Sequence, residues 1–208
     1  KYNSSLIDLD LSNNKIGQAE TLNTVQPDYI TGGEAIADML ASNLCKLQTL
    51  NLAWNLIRLD GGISLAGCLK TNKYVTFLDL SYNALGKDGG EVLGSALLGN
   101  SILETLLLTN NNINFSACFA ICVALEENFS LRRLALDGNP IGEGGGRSVM
   151  QIPFTTGSRV KVTASGCNLL IKDQNSSFNY SQPNDFYVLQ LNNPYHRAVC
   201  IKLLRLVA

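Results

Sequence analysis

The sequence predicts an α/β solenoid, in which short parallel strands form a curved inner sheet and helices cover its outer side. Two observations support this fold class. A motif of apolar residues that ends near an asparagine recurs at a constant step of 28 residues, and the segment after each motif carries apolar residues four positions apart. A strand of three or four residues cannot bury its apolar flanks alone, so such units are stable only when they stack on one another.

The strands are predicted by the pattern L-x-x-L-x-L-x-x-N-x-L, which begins at Leu6. The first step, from Leu6 to Leu47, is 41 residues, which is 28 plus an insertion of about 13 that lies mostly at 17–30. A last step of 28 reaches 159–169, a sixth and degraded repeat in which most positions fit but Arg159 does not. The five full motifs are 6–16, 47–57, 75–85, 103–113 and 131–141.

An asparagine closes each strand motif, at the point where the chain bends away from the sheet. A carboxamide at such a bend can pair with the backbone groups that the bend leaves unpaired. We therefore predict a structural ladder of inward-facing side chains. Its members are Asn14, Asn55, Asn83, Asn111 and Asn139, closed by Cys167.

The second half of each repeat is predicted to be a helix, because its apolar residues lie on one helical face. An asparagine follows the last buried leucine of each helix by three residues, a position suited to a C-terminal stop. The segment after Ile141, GEGGGRSVMQIPF, is too rich in glycine and too short to predict a full helix. The predicted helices are 33–43, 62–72, 90–100 and 118–128, and their last residues are Asn43, Asn72, Asn100 and Asn128.

The repeat pattern ends near residue 170, which divides the chain into a solenoid at 1–170 and a C-terminal part at 171–208. The C-terminal part begins with a polar stretch that contains a proline, as a linker does. The stretch FYVLQL then alternates like a short strand, and Asn193 and Pro194 suit the start of a helix. We predict that this strand and helix cap the end of the solenoid.

These repeats resemble those of leucine-rich-repeat proteins, and the 28-residue step with a helical second half resembles the ribonuclease-inhibitor subclass. The resemblance covers roughly residues 6–169, and in this family cysteine commonly replaces the ladder asparagine, as Cys167 does here. A second, shorter resemblance links FNYSQPNDFYVLQLNNPYHRAV to long repeat proteins of protists and cilia. It implies a ciliary or axonemal assembly, or a cytoskeletal one.

The composition of the chain argues against nucleic-acid and membrane partners. The net charge is −1 and the lysines and arginines are scattered, so no surface is predicted to neutralise phosphates. No apolar run approaches the ~20 residues of a membrane span. No polar element precedes Leu6 to cap the first repeat, and we therefore expect the sequence to be part of a longer protein.

The six cysteines are predicted to be buried free thiols rather than disulfides or metal ligands. No Cys-x-x-Cys spacing occurs, and no histidine lies near Cys118 and Cys122, which are four residues apart. Free thiols are typical of a reducing compartment, so we expect a cytoplasmic location.

No motif of a known catalytic class occurs in the sequence. A phosphate-binding loop, a nucleophile elbow and a zinc-binding His-Glu-x-x-His helix are all absent. The single histidine, His196, lies near the start of the last predicted helix, and the paired Asp8 and Asp10 suit a partner's basic residues better than acid–base catalysis. We predict no enzymatic activity, no metal and no cofactor.

The residues between the strand leucines are predicted to point into the concave face of the sheet, because side chains alternate along a strand. Trp54 and Tyr82 follow neighbouring strands, near Phe77, and form an aromatic cluster of the kind that interfaces use. Acidic residues lie at one end of this face and basic residues at the other, a gradient suited to orienting a partner. The predicted binding residues are Asp8, Asp10, Asn51, Trp54, Phe77, Asp79, Tyr82, Thr105, Arg133 and Lys161.

The function predicted from these features is a non-catalytic scaffold whose partners are other proteins, as subunits of a larger assembly. Two alternatives stay open. The resemblance includes the Ran GTPase-activating proteins, which share this repeat class. Such an activity needs a side chain that stabilises the charge of the phosphoryl group during its transfer. Arg58, in the loop after the second strand motif, has a suitable position for that role. The other alternative is a ligand-sensing repeat domain of an immune-type receptor.

Overall fold

Short strands and helices alternate along the chain in a computed structural model that describes residues 3, 5–18, 29–42, 44–152, 160–167 and 200. The strands described are β1 (Asp8–Asp10), β2 (Thr49–Asn51), β3 (Phe77–Asp79), β4 (Thr105–Leu107), β5 (Arg133–Ala135) and β6 (Lys161–Thr163). The helices described are α1 (Gly32–Ala41), α2 (Leu59–Cys68), α3 (Gly86–Gly99), α4 (Phe115–Glu127) and α5 (Gly142–Gln151).

The strands form an open parallel sheet in the order β1-β2-β3-β4-β5-β6. From β2 onward paired residues are 28 positions apart, as in the series Thr49, Phe77 and Thr105. The longer step from β1 keeps the same register, because Asp8 pairs with Thr49 and the extra residues lie in the connection. A helix separates each strand from the next, which confirms the predicted α/β solenoid.

The core lies between the sheet and the helices. The middle residue of each strand from β2 to β5 is a leucine with no solvent exposure, and it packs in one cluster with the helical leucines. At the two edges of the sheet, Leu9 of β1 and Val162 of β6 are only partly buried. The four buried strand leucines are Leu50, Leu78, Leu106 and Leu134.

The four predicted helices are present, and each begins one to four residues earlier than the leucine spacing indicated. Asn100 and Asn128 are the C-cap residues of α3 and α4, as predicted. The stop predicted at Asn72 was wrong, because α2 ends at Cys68 and the chain continues in a tighter turn. The stop predicted at Asn43 lies outside the described residues.

The glycine-rich segment after Ile141 forms helix α5, so the prediction that it holds no full helix was wrong. Glycine in a helix interior costs about 1 kcal/mol relative to alanine, but tertiary packing outweighs that cost here. A Cβ atom on Gly144 would lie 2.7 Å from the ring of Phe115 in α4. Val149 and Met150 are buried on the same helix, so the glycines allow α5 to pack closely against α4.

Several predicted elements lie outside the described residues. They include most of the insertion at 17–30 and the linker, strand and helix predicted within 171–208. Cys200 is described in that C-terminal part, and it is buried. The domain division near residue 170 therefore stays a prediction.

Candidate functional site

The strand face is defined as the residues that flank the buried middle of each strand, which form two rows, together with Trp54 and Tyr82 in the loops beside them. Each row crosses the sheet from β1 to β6 in the parallel register. All ten predicted binding residues are exposed or partly exposed. The first row is Asp8, Thr49, Phe77, Thr105, Arg133 and Lys161. The second row is Asp10, Asn51, Asp79, Leu107, Ala135 and Thr163.

The first three side chains of the second row form hydrogen bonds with the backbone just after their own strands. Each accepts a hydrogen bond from the backbone N–H two residues further on, at 2.8 Å for Asp10 and Asp79 and 3.0 Å for Asn51. The Asn51 Nδ2 also donates to Asp10 Oδ2 at 3.0 Å, across the gap between two repeats. The hydrogen bonds that Ser12 donates hold the pKa of Asp10 below its ordinary value, so this carboxylate is ionised on the strand face.

Two aromatic rings stack beside the second row, in the loops that follow β2 and β3. The rings of Trp54 and Tyr82 are 4.0 Å apart between centroids, with 9° between their planes. Trp54 is 53% exposed and Tyr82 is 39% exposed, so the pair presents a large aromatic surface to solvent. Among the described residues, Phe77 makes no ring contact with this pair, and the predicted aromatic cluster has two stacked members.

The backbone at both aromatic residues is left-handed, with φ of 60° at Trp54 and 56° at Tyr82. The equivalent positions of the other four repeats are also left-handed, and they hold residues that tolerate this conformation: Asn13, Asn110, Gly138 and Gly166. A bulky side chain in this region is strained. The sequence therefore places two aromatic residues where the fold itself favours asparagine or glycine.

The predicted charge gradient lies along the strand face, with one addition. Asp8, Asp10 and Asp79 lie on β1 to β3, and the exposed Arg133 and Lys161 lie on β5 and β6. The addition is the partly buried Asp137, just beyond β5, which sequence reasoning did not single out.

The ladder asparagines are part of the backbone network behind the strand face. The Asn83 Nδ2 donates to the Leu52 carbonyl of the preceding repeat and to the Leu80 carbonyl of its own, both at 2.9 Å. Its Oδ1 accepts from the backbone N–H of Asn55 at 3.1 Å and of Ile57 at 3.0 Å. Equivalent bonds are made by Asn55, Asn111 and Asn139, whereas Asn14 is exposed and Cys167 donates its thiol to Leu136 O at 3.2 Å.

A leucine-rich repeat family profile matches the chain at residues 2–19, 43–66, 71–94 and 127–150. Each matched stretch contains one strand of the sheet, namely β1, β2, β3 and β5. The chain contains leucine-rich repeats. Such repeats typically act as non-catalytic modules of protein–protein interaction. No curated protein matches the chain.

A second asparagine ladder, which sequence reasoning missed, joins the leucine-rich repeats at the opposite end of the strands. The Asn100 Nδ2 donates to Leu69 O of the preceding repeat at 2.6 Å, and its Oδ1 accepts from the backbone N–H of Ile102 and Leu103. Asn72 and Asn128 make the same bonds in their repeats. The recurrence of asparagine at a step of 28 residues was the signal, although it had suggested only helix stops.

The cysteines of the leucine-rich repeats are free thiols, and all but the partly buried Cys167 are buried, as predicted for the described residues. Burial, with a smaller contribution from the charge of Asp38, raises the pKa of Cys68 to about 12. The hydrogen bond that links the Cys122 and Cys118 thiols, followed by burial, raises the pKa of Cys122. Within the part of the chain that the structure describes, no group of three His, Cys, Asp or Glu side chains is placed to hold a metal ion.

Helix α4 of the fourth leucine-rich repeat exposes apolar side chains on its solvent side. The rings of Phe115 and Phe119 are 6.0 Å apart and about half-exposed, and Val123 continues the stripe one turn on. The helix is apolar at most positions from Phe115 to Leu125, and this was the signal for a second apolar surface, but the prediction considered only the inward face of the helix. No helix among the described residues is long and apolar enough to cross a membrane.

Arg58, the residue on which the GTPase-activating alternative depends, lies directly before α2. It is half-buried, and its backbone forms a bridge with Ala84 of the next leucine-rich repeat. The backbone of Arg58 is therefore fixed by pairing with the next repeat.

Proposed function

We propose that this chain is a non-catalytic scaffold that binds another protein through its strand face, as part of a larger assembly. The leucine-rich repeats support a binding role. The stack of Trp54 on Tyr82 is the observation that supports this face, because it holds two large aromatic side chains in solvent on a strained backbone.

Both features of the stack are unfavourable for the chain alone. A left-handed backbone costs roughly 1–2 kcal/mol for a residue with a bulky side chain, and the exposed ring area stays in contact with water. Asn13 and Asn110 show that asparagine fits the same position of the fold. A partner that covers the two rings would bury their apolar surface, and aromatic anchors of this kind dominate the energy of many interfaces.

The setting that we propose is the cytoplasm, in a ciliary or cytoskeletal assembly. The support for this setting is the resemblance of residues 178–199 to a segment of long ciliary and protist repeat proteins, together with the free thiols, which are typical of a reducing compartment.

The test is capture of partners from a ciliated-cell extract with the chain and with the double variant Trp54→Asn, Tyr82→Asn. Asparagine is the better replacement because two repeats already hold it at this left-handed position. The matched control is Phe115→Ala, Phe119→Ala, which removes another exposed aromatic pair from α4. Circular dichroism and thermal unfolding establish that each variant is folded.

We expect the Asn double variant to lose the proteins that the unchanged chain captures, and the α4 variant to keep them. Loss of the partners only in the α4 variant would contradict the proposal and place the binding surface on the helices. Identification of the captured proteins by mass spectrometry tests the ciliary setting, which fails if they are all secreted proteins.

A further inference from the structure

We infer that the strand face of the first two repeats receives an arginine side chain of the partner, which stacks on the outer face of Trp54 and pairs with Asp10. This inference rests on the proposed function and names the chemical group that the same face binds. The partner segment is therefore a protein segment that presents an exposed arginine.

Within the described part of the chain, the geometry of the stack leaves one face of Trp54 open. Trp54 and Tyr82 hold equivalent positions in neighbouring repeats, and their 4.0 Å ring separation is close to the ~4.8 Å spacing of neighbouring strands. The stack therefore follows the direction of the repeats, and the second face of Trp54 points toward the first repeat. The equivalent residue there is Asn13, which is short and exposed, and Trp54 itself is 53% exposed.

The carboxylate of Asp10 lies on the same side of Trp54. Asp10 is three residues before Asn13, and its side chain bends toward the strand end to accept the Ser12 N–H at 2.8 Å. The Asn51 Nδ2 holds the other oxygen at 3.0 Å and so draws the carboxylate toward the repeat of Trp54. A carboxylate offers about four lone-pair sites, and the Ser12 backbone, the Ser12 side chain and Asn51 use three of them, so roughly one is left for a ligand.

The charges around this position favour a cationic group. Asp8 lies beside Asp10 on β1 and is also exposed, and Asp79 lies in the same row two strands away. The exposed basic residues of the strand rows, Arg133 and Lys161, lie at the far side of the sheet. A basic side chain from a partner is therefore complementary to this end of the face.

Arginine fits the two surfaces better than lysine does. Its planar guanidinium can stack on an indole ring while an N–H in the same plane donates to a neighbouring carboxylate, whereas the lysine ammonium is a compact and strongly hydrated charge. The proposed site combines the open face of the Trp54 indole with the adjacent Asp10 carboxylate. A planar guanidinium can contact both at once, and a lysine ammonium cannot.

Trp54 is the single tryptophan of the chain, so its fluorescence reports on this position alone. We would titrate the full chain with the peptide acetyl-(Gly-Arg)4-amide, and with the same peptide carrying lysine or the neutral isostere citrulline. The expected result is a saturable change in fluorescence with the arginine peptide, binding roughly fivefold or more weaker with the lysine peptide, and no binding of the citrulline peptide.

The variant Asp10→Asn tests the carboxylate without removing the probe. Asn51 already occupies the same row and accepts the same backbone hydrogen bond, so the substitution is compatible with the fold. We expect Asp10→Asn to weaken binding of the arginine peptide about fivefold or more. The matched control, Asp88→Asn, removes an exposed carboxylate in the first turn of α3 and should leave binding unchanged.

Equal binding of the arginine and lysine peptides, or unchanged binding after Asp10→Asn, would overturn the inference. The failure of this inference can be distinguished from failure of the proposed function. If the arginine peptide does not bind while Trp54→Asn, Tyr82→Asn still loses its captured partners, only the arginine assignment is wrong. If that double variant retains its partners, the proposed binding face is wrong.

Discussion

Asp137 is a residue whose side chain joins β5 to β6. One carboxylate oxygen accepts from the backbone N–H of Ser165 at 2.6 Å and from its hydroxyl at 2.5 Å, and the other accepts from the Thr163 hydroxyl at 2.5 Å. Partial burial raises the pKa of this carboxyl, but the hydrogen bonds from Ser165 and Thr163 outweigh burial. The pKa therefore lies below its ordinary value of 3.8 in the folded chain.

We predict that Asp137→Ala lowers the free energy of unfolding by about 1–3 kcal/mol near neutral pH, because three donors lose their acceptor. Because the pKa of Asp137 is lower in the folded chain than in the unfolded chain, where it is near 3.8, the ionised carboxylate stabilises the fold at pH values above 3.8. This stabilisation is lost as the pH falls through the pKa of the folded chain. Urea unfolding at neutral pH and below pH 3.8 should therefore show a smaller effect in acid. An equal effect at both would contradict the assignment, and Asp137→Asn should cost less.

The strand pattern predicted which residues line the strand face, but it did not predict the backbone strain at Trp54 and Tyr82. The alternation of side chains is a local property of any strand, so it can be read from spacing alone. The left-handed bend depends on how the chain leaves the sheet, and its signal was the asparagine or glycine at the equivalent positions, such as Asn110 and Gly138. Because two repeats have tryptophan or tyrosine at this position, the preference for asparagine or glycine is visible only when all six repeats are aligned.

Glycines at the helix contacts set how closely neighbouring helices of the solenoid pack. A Cβ atom on Gly94 of α3 would lie 2.7 Å from the backbone carbonyl carbon of Ala120 in α4. Helix propensity alone counts such glycines as unfavourable, and this explains why the glycine-rich α5 was not predicted from the sequence. The other helices were predicted because the spacing of their leucines indicates which face of the helix is buried.

We predict that Gly94→Ala destabilises the chain by about 1–3 kcal/mol, because the added methyl group meets backbone that has no room to move aside. The matched control is Gly62→Ala in α2, where the nearest atom to the added Cβ atom is 3.6 Å away. That control should be neutral or stabilising by about 0.5–1 kcal/mol through its gain in helix propensity. Thermal unfolding of both variants provides the comparison, and equal effects would contradict this account of the helix contacts.

Contacts between neighbouring repeats hold the solenoid together, since within the described part of the chain each strand pairs with the strands directly before and after it. Stability in such an array is approximately a sum of terms for repeats and for their interfaces. Among the described strands, the central ones have a neighbour on both sides, whereas β1 has one neighbour and two exposed residues. The central repeats should therefore be the most stable part of the chain.

We predict that amide hydrogen exchange is slowest in β3 and β4 and becomes faster toward β1. The reason is that opening an end repeat breaks one interface, whereas opening a central one breaks two. Exchange followed by mass spectrometry of the intact chain and its fragments measures this order. Uniform protection from β1 to β4 would instead indicate that the repeats open as one unit.

The two asparagine ladders make the joints between neighbouring repeats interchangeable. Asn83, Asn111 and Asn139 each donate to a carbonyl 31 residues earlier, so the joint from one repeat to the next is built from the same atoms each time. A gene that loses or duplicates one 28-residue unit would leave matched donors and acceptors on both sides of the seam. The length of the solenoid can therefore change in whole units over evolution. A unit gained or lost between two repeats changes the distance between their strand-face residues by one strand spacing and leaves the rest of each repeat intact.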